Sequence, residues 1–220
     1  MRIELPSGTP AERAEPEGEP VRGLVLLPDI GGLRPLFDHL CARLAVEHGW
    51  AVVAPEPWPG RSAMTLDERL AAVGSIDHDA YMADCLAAAD ATGADPVGVL
   101  GFCMGGMFAL HAAASGRFDR AVSFYGMVRV PEHWQAPERP EPLDALAEAG
   151  SDAAPVLHLC GTADTFVPVA DLDALEATGA TVVRYPGAEH GFAHDPDRPA
   201  HRPADAADAW ARAAAFLLGP

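Results

Sequence analysis

Cys103 is the residue in this chain best placed to do chemistry. It sits in Val97-Gly98-Val99-Leu100-Gly101-Phe102-Cys103-Met104-Gly105-Gly106, a small, β-branched apolar run broken by Gly101-x-Cys103-x-Gly105 and followed at once by helix-forming residues. A strand that turns this sharply into a helix strains the backbone of its central residue and needs glycines beside it, because side chains there would collide. The turn lifts the central side chain above the carboxyl edge of the sheet. It also sets the sulfur beside the first unpaired N–H groups of the helix, where negative charge is favoured. This is the pattern of a nucleophile elbow, with cysteine where serine is usual. Taken alone, the pattern fits a glycine-rich turn around a small buried cysteine equally well, so partners have to decide.

Two later loops supply partners. Gly161-Thr162-Ala163-Asp164-Thr165-Phe166-Val167-Pro168 follows a strand predicted at 155–160, and Asp164 is its only carboxylate before the next helix. Tyr185-Pro186-Gly187-Ala188-Glu189-His190-Gly191-Phe192 follows the last predicted strand and delivers His190. The chain order of nucleophile, acid and histidine is that of the α/β-hydrolase arrangement. In such a set His190 takes the thiol proton, and Asp164 holds the imidazole in the right tautomer and stabilises its cation. The Cys103 thiolate then attacks a carbonyl carbon to form a thioester that water cleaves. Two preorganised N–H donors are needed for the oxyanion. Met104, next after the nucleophile, is one; Ile30, in the loop after the strand predicted at 23–27, is the other, and Gly31-Gly32 lets that loop pass close to a substrate.

The elements that must position these residues read as alternating strands and helices. Strands are predicted at 23–27, 51–54, 97–100, 121–125, 155–160 and 181–185. Helices are predicted at 35–48 (with Leu36, Leu40, Leu44 and Val46 as its apolar pattern), 65–74, 79–91, 104–115, 171–178 and 203–217, and Gly49 stands just beyond the first of them. The last helix carries Ala206, Ala209, Trp210, Ala213, Phe216 and Leu217 on one stripe. Residues 2–22 are polar and proline-rich and hold at most one or two short edge strands; 129–153 reads as an excursion over the surface. Strands that are apolar throughout imply a mostly parallel central sheet with helices on both faces, a three-layer α/β fold in which ligands gather at the carboxyl ends of the strands. Every candidate site residue falls there.

Length and composition set the frame. At 220 residues, 49% apolar and 21% charged, the chain reads as one globular domain over 1–220 with a short N-terminal edge segment at 1–22. A net charge of −17 argues against nucleic-acid or anionic-membrane partners. No apolar run has the length of a membrane span, and no signal-peptide core follows Met1, so a cytoplasmic location is expected. The four cysteines have no C-x-x-C spacing, and Cys41, Cys85 and Cys160 read as inert packing. His190 and His194 are four apart but flank Gly191 in a loop, so no metal is expected.

With these residues in view, the sequence resembles the dienelactone hydrolase family, the cysteine branch of the α/β-hydrolases, from about Gly23 to the C-terminal helix. The resemblance rests on Gly101-Phe102-Cys103-Met104-Gly105-Gly106, Phe124-Tyr125-Gly126, Gly161-Thr162-Ala163-Asp164 with Val167-Pro168, and Gly187-Ala188-Glu189-His190-Gly191-Phe192. It implies a Cys-His-Asp triad at Cys103, His190 and Asp164, with no metal and no cofactor. Two departures stand out. The family carries a glutamate near the resting nucleophile where this chain has Asp29, which either tunes the thiol or caps the loop. Family members acting in chlorocatechol breakdown grip a substrate carboxylate with arginines. One of those positions is His194 here, and Arg69 stands as a candidate for the other.

Single residues carry alternative readings. Tyr125 and Phe192, with Trp58 and Trp134, either line a substrate pocket or pack the core. His158 and His111 read as hydrogen-bonded core residues. The expected function is hydrolysis of a small ester or lactone by a monomer or weak homodimer. A redox-active thiol protein with peroxide chemistry at Cys103 and a non-catalytic binding scaffold are the alternatives.

Overall fold

A computed structural model describes residues 1–136 and 139–219. Among these residues eight strands form one sheet: β1 (Arg2–Glu4), β2 (Pro10–Ala14), β3 (Arg22–Leu27), β4 (Trp50–Pro55), β5 (Val97–Phe102), β6 (Ala121–Phe124), β7 (Val156–Gly161) and β8 (Thr181–Tyr185). Their order is β1-β2-β4-β3-β5-β6-β7-β8, with β1 and β2 antiparallel at one edge and all pairs from β4 to β8 parallel. Parallel pairing explains why β3, β4, β5 and β7 are buried at every residue: crossover helices cover both faces, so no position along these strands meets water. The chain runs outward from β3 to β4, then returns to add β5 on the other side. The loops after β3 and β5 therefore splay apart, which opens a crevice at the carboxyl edge.

Helices α1 (Pro35–His48) and α7 (Pro203–Leu218) meet on one face, where the Arg43 guanidinium lies over the Trp210 ring. On the other face α3 (His78–Ala91) covers β3 and β4, while α4 (Met104–Ala113) covers β5 and β6. Helix α2 (Leu66–Ala72) begins with a capping box between Thr65 and Glu68, and α6 (Val169–Glu176) packs beside β8.

The structure departs from the sequence-based expectations in three places. In α1 the buried face is Phe37, Leu40, Cys41, Leu44 and Ala45, a repeat at i, i+3, i+4, i+7 and i+8, and Val46 is 81% exposed. The stretch 129–153 is more than a surface excursion: α5 (Pro142–Ala149) seats Leu143 and Leu146 against α4, and Val130 and Trp134 are buried. Residues 137 and 138 of that stretch lie outside the described residues. His158 is fully buried on β7, yet neither ring nitrogen has a hydrogen-bond partner, and His111 leaves Nε2 unpartnered. Burial pushes His158 down to about 4 and, aided by His78 and Arg139, His111 down to about 3, so both rings pack as neutral groups.

The elbow between β5 and α4 is packed backbone against backbone. A Cβ at Gly105 would collide with the Leu27 and Pro28 carbonyls, and one at Gly101 with the Gly105 peptide. Gly105→Ala is expected to lower stability by about 1–3 kcal/mol, read as a lower urea midpoint, because neither wall is a side chain that can rotate away.

Candidate active site

The first non-strand residue after β5 is Cys103, at φ 54° and ψ −117°. Among the described residues only Cys103 and Tyr125 (φ 41°) combine positive φ with a side chain, and each directly follows a strand end, Cys103 in the cleft wall and Tyr125 buried behind it. Strain of this kind persists only where surrounding contacts fix it. Here the Cys103 N–H donates to the Phe124 carbonyl at 3.0 Å, and the Cys103 carbonyl accepts from the Met107 N–H at 3.0 Å. The sulfur thus stands at the N-terminus of α4, in the partial positive charge of that helix.

Asp164 and His190 arrive from the loops after β7 and β8. Asp164 is buried; its Oδ1 accepts from the Phe166 N–H at 2.8 Å and its Oδ2 accepts from His190 Nδ1 at 2.8 Å. Cys160 adds a weak S–H donor 3.7 Å from Oδ2. With Nδ1 committed to Asp164, Nε2 is the nitrogen left for the Cys103 sulfur. Burial by itself would depress the basicity of His190. The negative charge on Cys103, with the hydrogen bond to Asp164, outweighs it and lifts the imidazole to about 10.

The loop after β3 is held from several sides. Trp58 Nε1 donates to the Ile30 carbonyl at 2.8 Å, and the buried Glu56 carboxylate accepts from the Leu33 and Trp58 N–H groups. The Arg69 guanidinium donates to the carbonyls of Gly31, Met64 and Ser62. Arg69 is consumed by the backbone, so it is not free for a substrate carboxylate. Among the described residues neither the Ile30 nor the Met104 N–H has an acceptor of its own.

Asp29 is more heavily engaged than either sequence reading expected. Arg34 grips it with two hydrogen bonds (2.6 and 2.9 Å), the Gly31 N–H donates to Oδ1 at 2.8 Å, and His194 Nε2 donates to Oδ2 at 2.8 Å. Burial opposes its charge, but the hydrogen bonds from His194 and Arg34, with the Arg34 charge, win and hold it far below the usual carboxylate range. No hydrogen bond joins it to Cys103. His194 in turn is buried with Nδ1 2.5 Å from the Tyr125 hydroxyl, so it lies beneath the crevice and not in it. Phe192 packs against the rings of Tyr185 and Tyr125 and Trp58 is fully buried; neither lines the cleft, whereas Trp134 does.

The crevice is a cleft of about 480 Å³ that has Cys103 and His190 in its wall with Asp29, Ile30 and Gly31. Residues 10–218 match the model of the dienelactone hydrolase family. The chain belongs to that family. Its place there makes it a carboxylic ester hydrolase. The carboxymethylenebutenolidase of Rhodococcus opacus is 33% identical over 88% of this chain and 79% of its own. That of Pseudomonas putida is 28% identical over 81% and 78%. The "Putative Dienelactone Hydrolase" of Klebsiella pneumoniae subsp. pneumoniae superimposes with a TM-score of 0.87 at 26% identity, covering 100% of this chain and 98% of that one. The dienelactone hydrolase-like promiscuous phosphotriesterase from metagenomic libraries shares the fold at a TM-score of 0.73 and 21% identity over 99% and 96%. No helix among the described residues is long and apolar enough to cross a membrane.

In this dienelactone hydrolase family member the cleft wall includes residues that the sequence reading passed over. Leu66 and Leu70 on α2, with Phe166, are partly exposed apolar side chains on the rim, and Trp134 stands with them. Arg139 fixes Trp134 by donating to its carbonyl and to those of Val73 and Ile76. Arg34, Asp195 and Arg198 also reach the cleft. The available signals were an i, i+4 leucine pair on an otherwise polar helix and an arginine eight residues beyond His190. Arg198 has no side-chain acceptor among the described residues, unlike Arg34. Its guanidinium lies against Gly191, whose φ of 80° and missing side chain leave the room; a Cβ there would meet Nη1 at 2.7 Å.

Because His190 is lifted from 6.5 to about 10, its proton-linked stabilisation is complete below about pH 6.5 and is lost as pH rises through about 10. An NMR titration is expected to place the His190 midpoint near that upper value in the wild type and lower in Cys103→Ser. Equal midpoints in the two proteins would show that the sulfur adds nothing to the charge on His190.

Proposed function

We propose that the protein hydrolyses a small ester or lactone through a thioester on Cys103, with His190 as base and then acid and Asp164 as the group that orients it. The observation that carries this reading is the alignment in one cleft of a strained cysteine at a helix N-terminus, an imidazole with Nε2 left for it, and a buried carboxylate on Nδ1. In the first half-reaction the Cys103 thiolate, its proton already on His190 Nε2, bonds to the substrate carbonyl carbon as the carbonyl electron pair moves onto oxygen. The Met104 and Ile30 N–H groups receive the oxyanion. Collapse breaks the carbon–oxygen bond, and the leaving oxygen takes the proton from His190. Water then attacks the thioester, gives a proton to His190, and the Cys103 thiolate departs.

The substrate class follows from the walls. Leu66, Leu70, Trp134 and Phe166 suit an apolar body, and the unpaired Arg198 suits a carboxylate at its edge. A lactone bearing a carboxylate, as the name of the carboxymethylenebutenolidase relatives describes, meets both demands. Redox chemistry is the weaker reading. Burial pushes the thiols of Cys41, Cys85 and Cys160 well up, which leaves them protonated and poor partners for a sulfenic acid at Cys103.

A panel of p-nitrophenyl esters, enol and saturated lactones, and acyl thioesters tests the reading, with kcat/KM as the readout. Cys103→Ala is expected to reduce kcat/KM on every turned-over member by at least about 10³-fold; retention of activity would refute a cysteine nucleophile. Arg198→Met is expected to cost about 10–100-fold on carboxylated lactones, the worth of a charged hydrogen bond, and less than about 2-fold on neutral esters. Equal losses on both would remove Arg198 from substrate binding.

A further inference from the structure

His194 is a buried titratable group that the proposed reaction does not use, and its contacts are unusual. Nε2 meets the Asp29 carboxylate, Nδ1 meets the Tyr125 hydroxyl at 2.5 Å, and the ring stacks on Phe102 with centroids 4.8 Å apart and planes 19° apart. Each neighbour is adjacent to a part of the reacting centre. Asp29 immediately precedes Ile30, Phe102 immediately precedes Cys103, and His194 lies four residues beyond His190 in the same loop. One imidazole therefore touches the oxyanion loop, the elbow and the end of β6 while belonging to the loop that carries the base.

The protonation of this ring follows from its partners. Asp29, gripped by Arg34, is ionised and can only accept, so Nε2 carries a hydrogen. Burial depresses the basicity of His194 against the pull of Asp29, and Arg34 and Arg198 add positive charge nearby, so the ring is neutral. Nδ1 is then an acceptor, and the Tyr125 hydroxyl donates to it. Tyr125 is itself fully buried with its phenol pushed well above its ordinary value by burial, so it keeps that proton. The result is a directed chain from the Tyr125 hydroxyl through neutral His194 to Asp29, with no proton free to move to the thiol.

We propose that His194 is a positioning residue that fixes the oxyanion loop in register with the loop bearing His190, and that Tyr125 sets the tautomer this requires. The proposal rests on the hydrolase reading above. Asp29 is anchored on the base loop by a single bond, that from His194. Without it the Asp29–Arg34 pair keeps its own geometry but loses its tie to the far side of the crevice. The Ile30 N–H then loses its fixed distance from the tetrahedral oxygen, while the Cys103–His190–Asp164 contacts stay intact. The proposed effect is thus on acyl transfer and not on thiol reactivity.

Two readouts separate these. The first is kcat and KM on the best ester or lactone beside the iodoacetamide alkylation rate of Cys103, in His194→Leu, His194→Gln and Tyr125→Phe. His194→Leu is expected to lower kcat by about 10²-fold, with KM and alkylation within about 3-fold of wild type. His194→Gln, which can return an N–H to Asp29, is expected to recover at least about 10-fold of that loss, and Tyr125→Phe to lose about 3–10-fold in kcat. Turnover within about 2-fold of wild type in both His194→Leu and Tyr125→Phe would overturn the proposal. So would alkylation falling in parallel with turnover, the mark of general disruption. Tyr125→Phe keeps the ring that packs the core, so it decides the matter if His194→Leu does not fold. The second readout is the side-chain ¹⁵N spectrum of His194 at neutral pH, which needs no substrate: the neutral Nε2–H tautomer is expected in wild type and in Cys103→Ala. An imidazolium or an Nδ1–H tautomer would overturn the proposal. Absence of Cys103-dependent turnover in the wild type would instead overturn the hydrolase reading and leave this spectrum to stand or fall alone.

Discussion

Everything at the carboxyl edge depends on how closely the backbone of the elbow approaches its neighbours. Gly105 lies against the carbonyls of Leu27 and Pro28 at the end of β3, and the Cys103 N–H is tied to Phe124 at the end of β6. Helix α4 can start only where these two strands allow, and its start fixes the sulfur, the Met104 N–H and the local positive potential together. The same approach brings the end of β3 beside the elbow, so the Asp29–Ile30 loop has nowhere to go but over the crevice. Positive φ at Cys103 is the local cost of that arrangement. Its neighbours absorb it by leaving no alternative path for the chain.

Two histidine–aspartate pairs lie side by side in this edge and have opposite characters. His190 meets Asp164 and the sulfur, and it is lifted to about 10; His194 meets Asp29 but is depressed by burial. The difference lies in the other neighbours. Asp164 has no arginine on it and leaves its charge to His190, whereas Asp29 is already satisfied by Arg34 and a backbone N–H. One pair is therefore built to carry a proton and the other to carry none. Environments that push similar groups apart in basicity are how one cleft separates moving parts from fixed ones.

The parallel strands around the elbow and the placing of Cys103, Asp164 and His190 just after them were legible in the sequence, because apolar runs bounded by Gly and Pro mark buried parallel strands and the site residues follow them directly; the order of the strands in the sheet was not. Nor was what depends on long-range pairing. Nothing local says that Arg69 would spend its guanidinium on loop carbonyls, or that Arg34, five residues from Asp29, would neutralise it. His194 stood in the sequence as the residue in place of a family arginine; its role as a buried bridge needs Tyr125, Asp29 and Phe102 to converge from three other strand ends. Val46 was misplaced for a simpler reason. In a helix with mixed apolar residues, composition alone does not select between two stripes about 100° apart, and the sheet chose Phe37 and Cys41. The Trp134 segment was read as surface because its proline and glutamate content hid the few anchors, Val130, Trp134 and Leu143, that fold it over the cleft.

The claim on which the whole account turns is that the acyl group passes through the Cys103 sulfur. The most direct measurement is a rapid acid quench during turnover of a p-nitrophenyl ester with a bulky, slowly hydrolysed acyl group, followed by peptide mass analysis. The account requires one acyl group on the peptide containing Cys103, released by hydroxylamine and absent from Cys103→Ala. An acyl group on any other residue, or turnover with no label above the Cys103→Ala background, would contradict it.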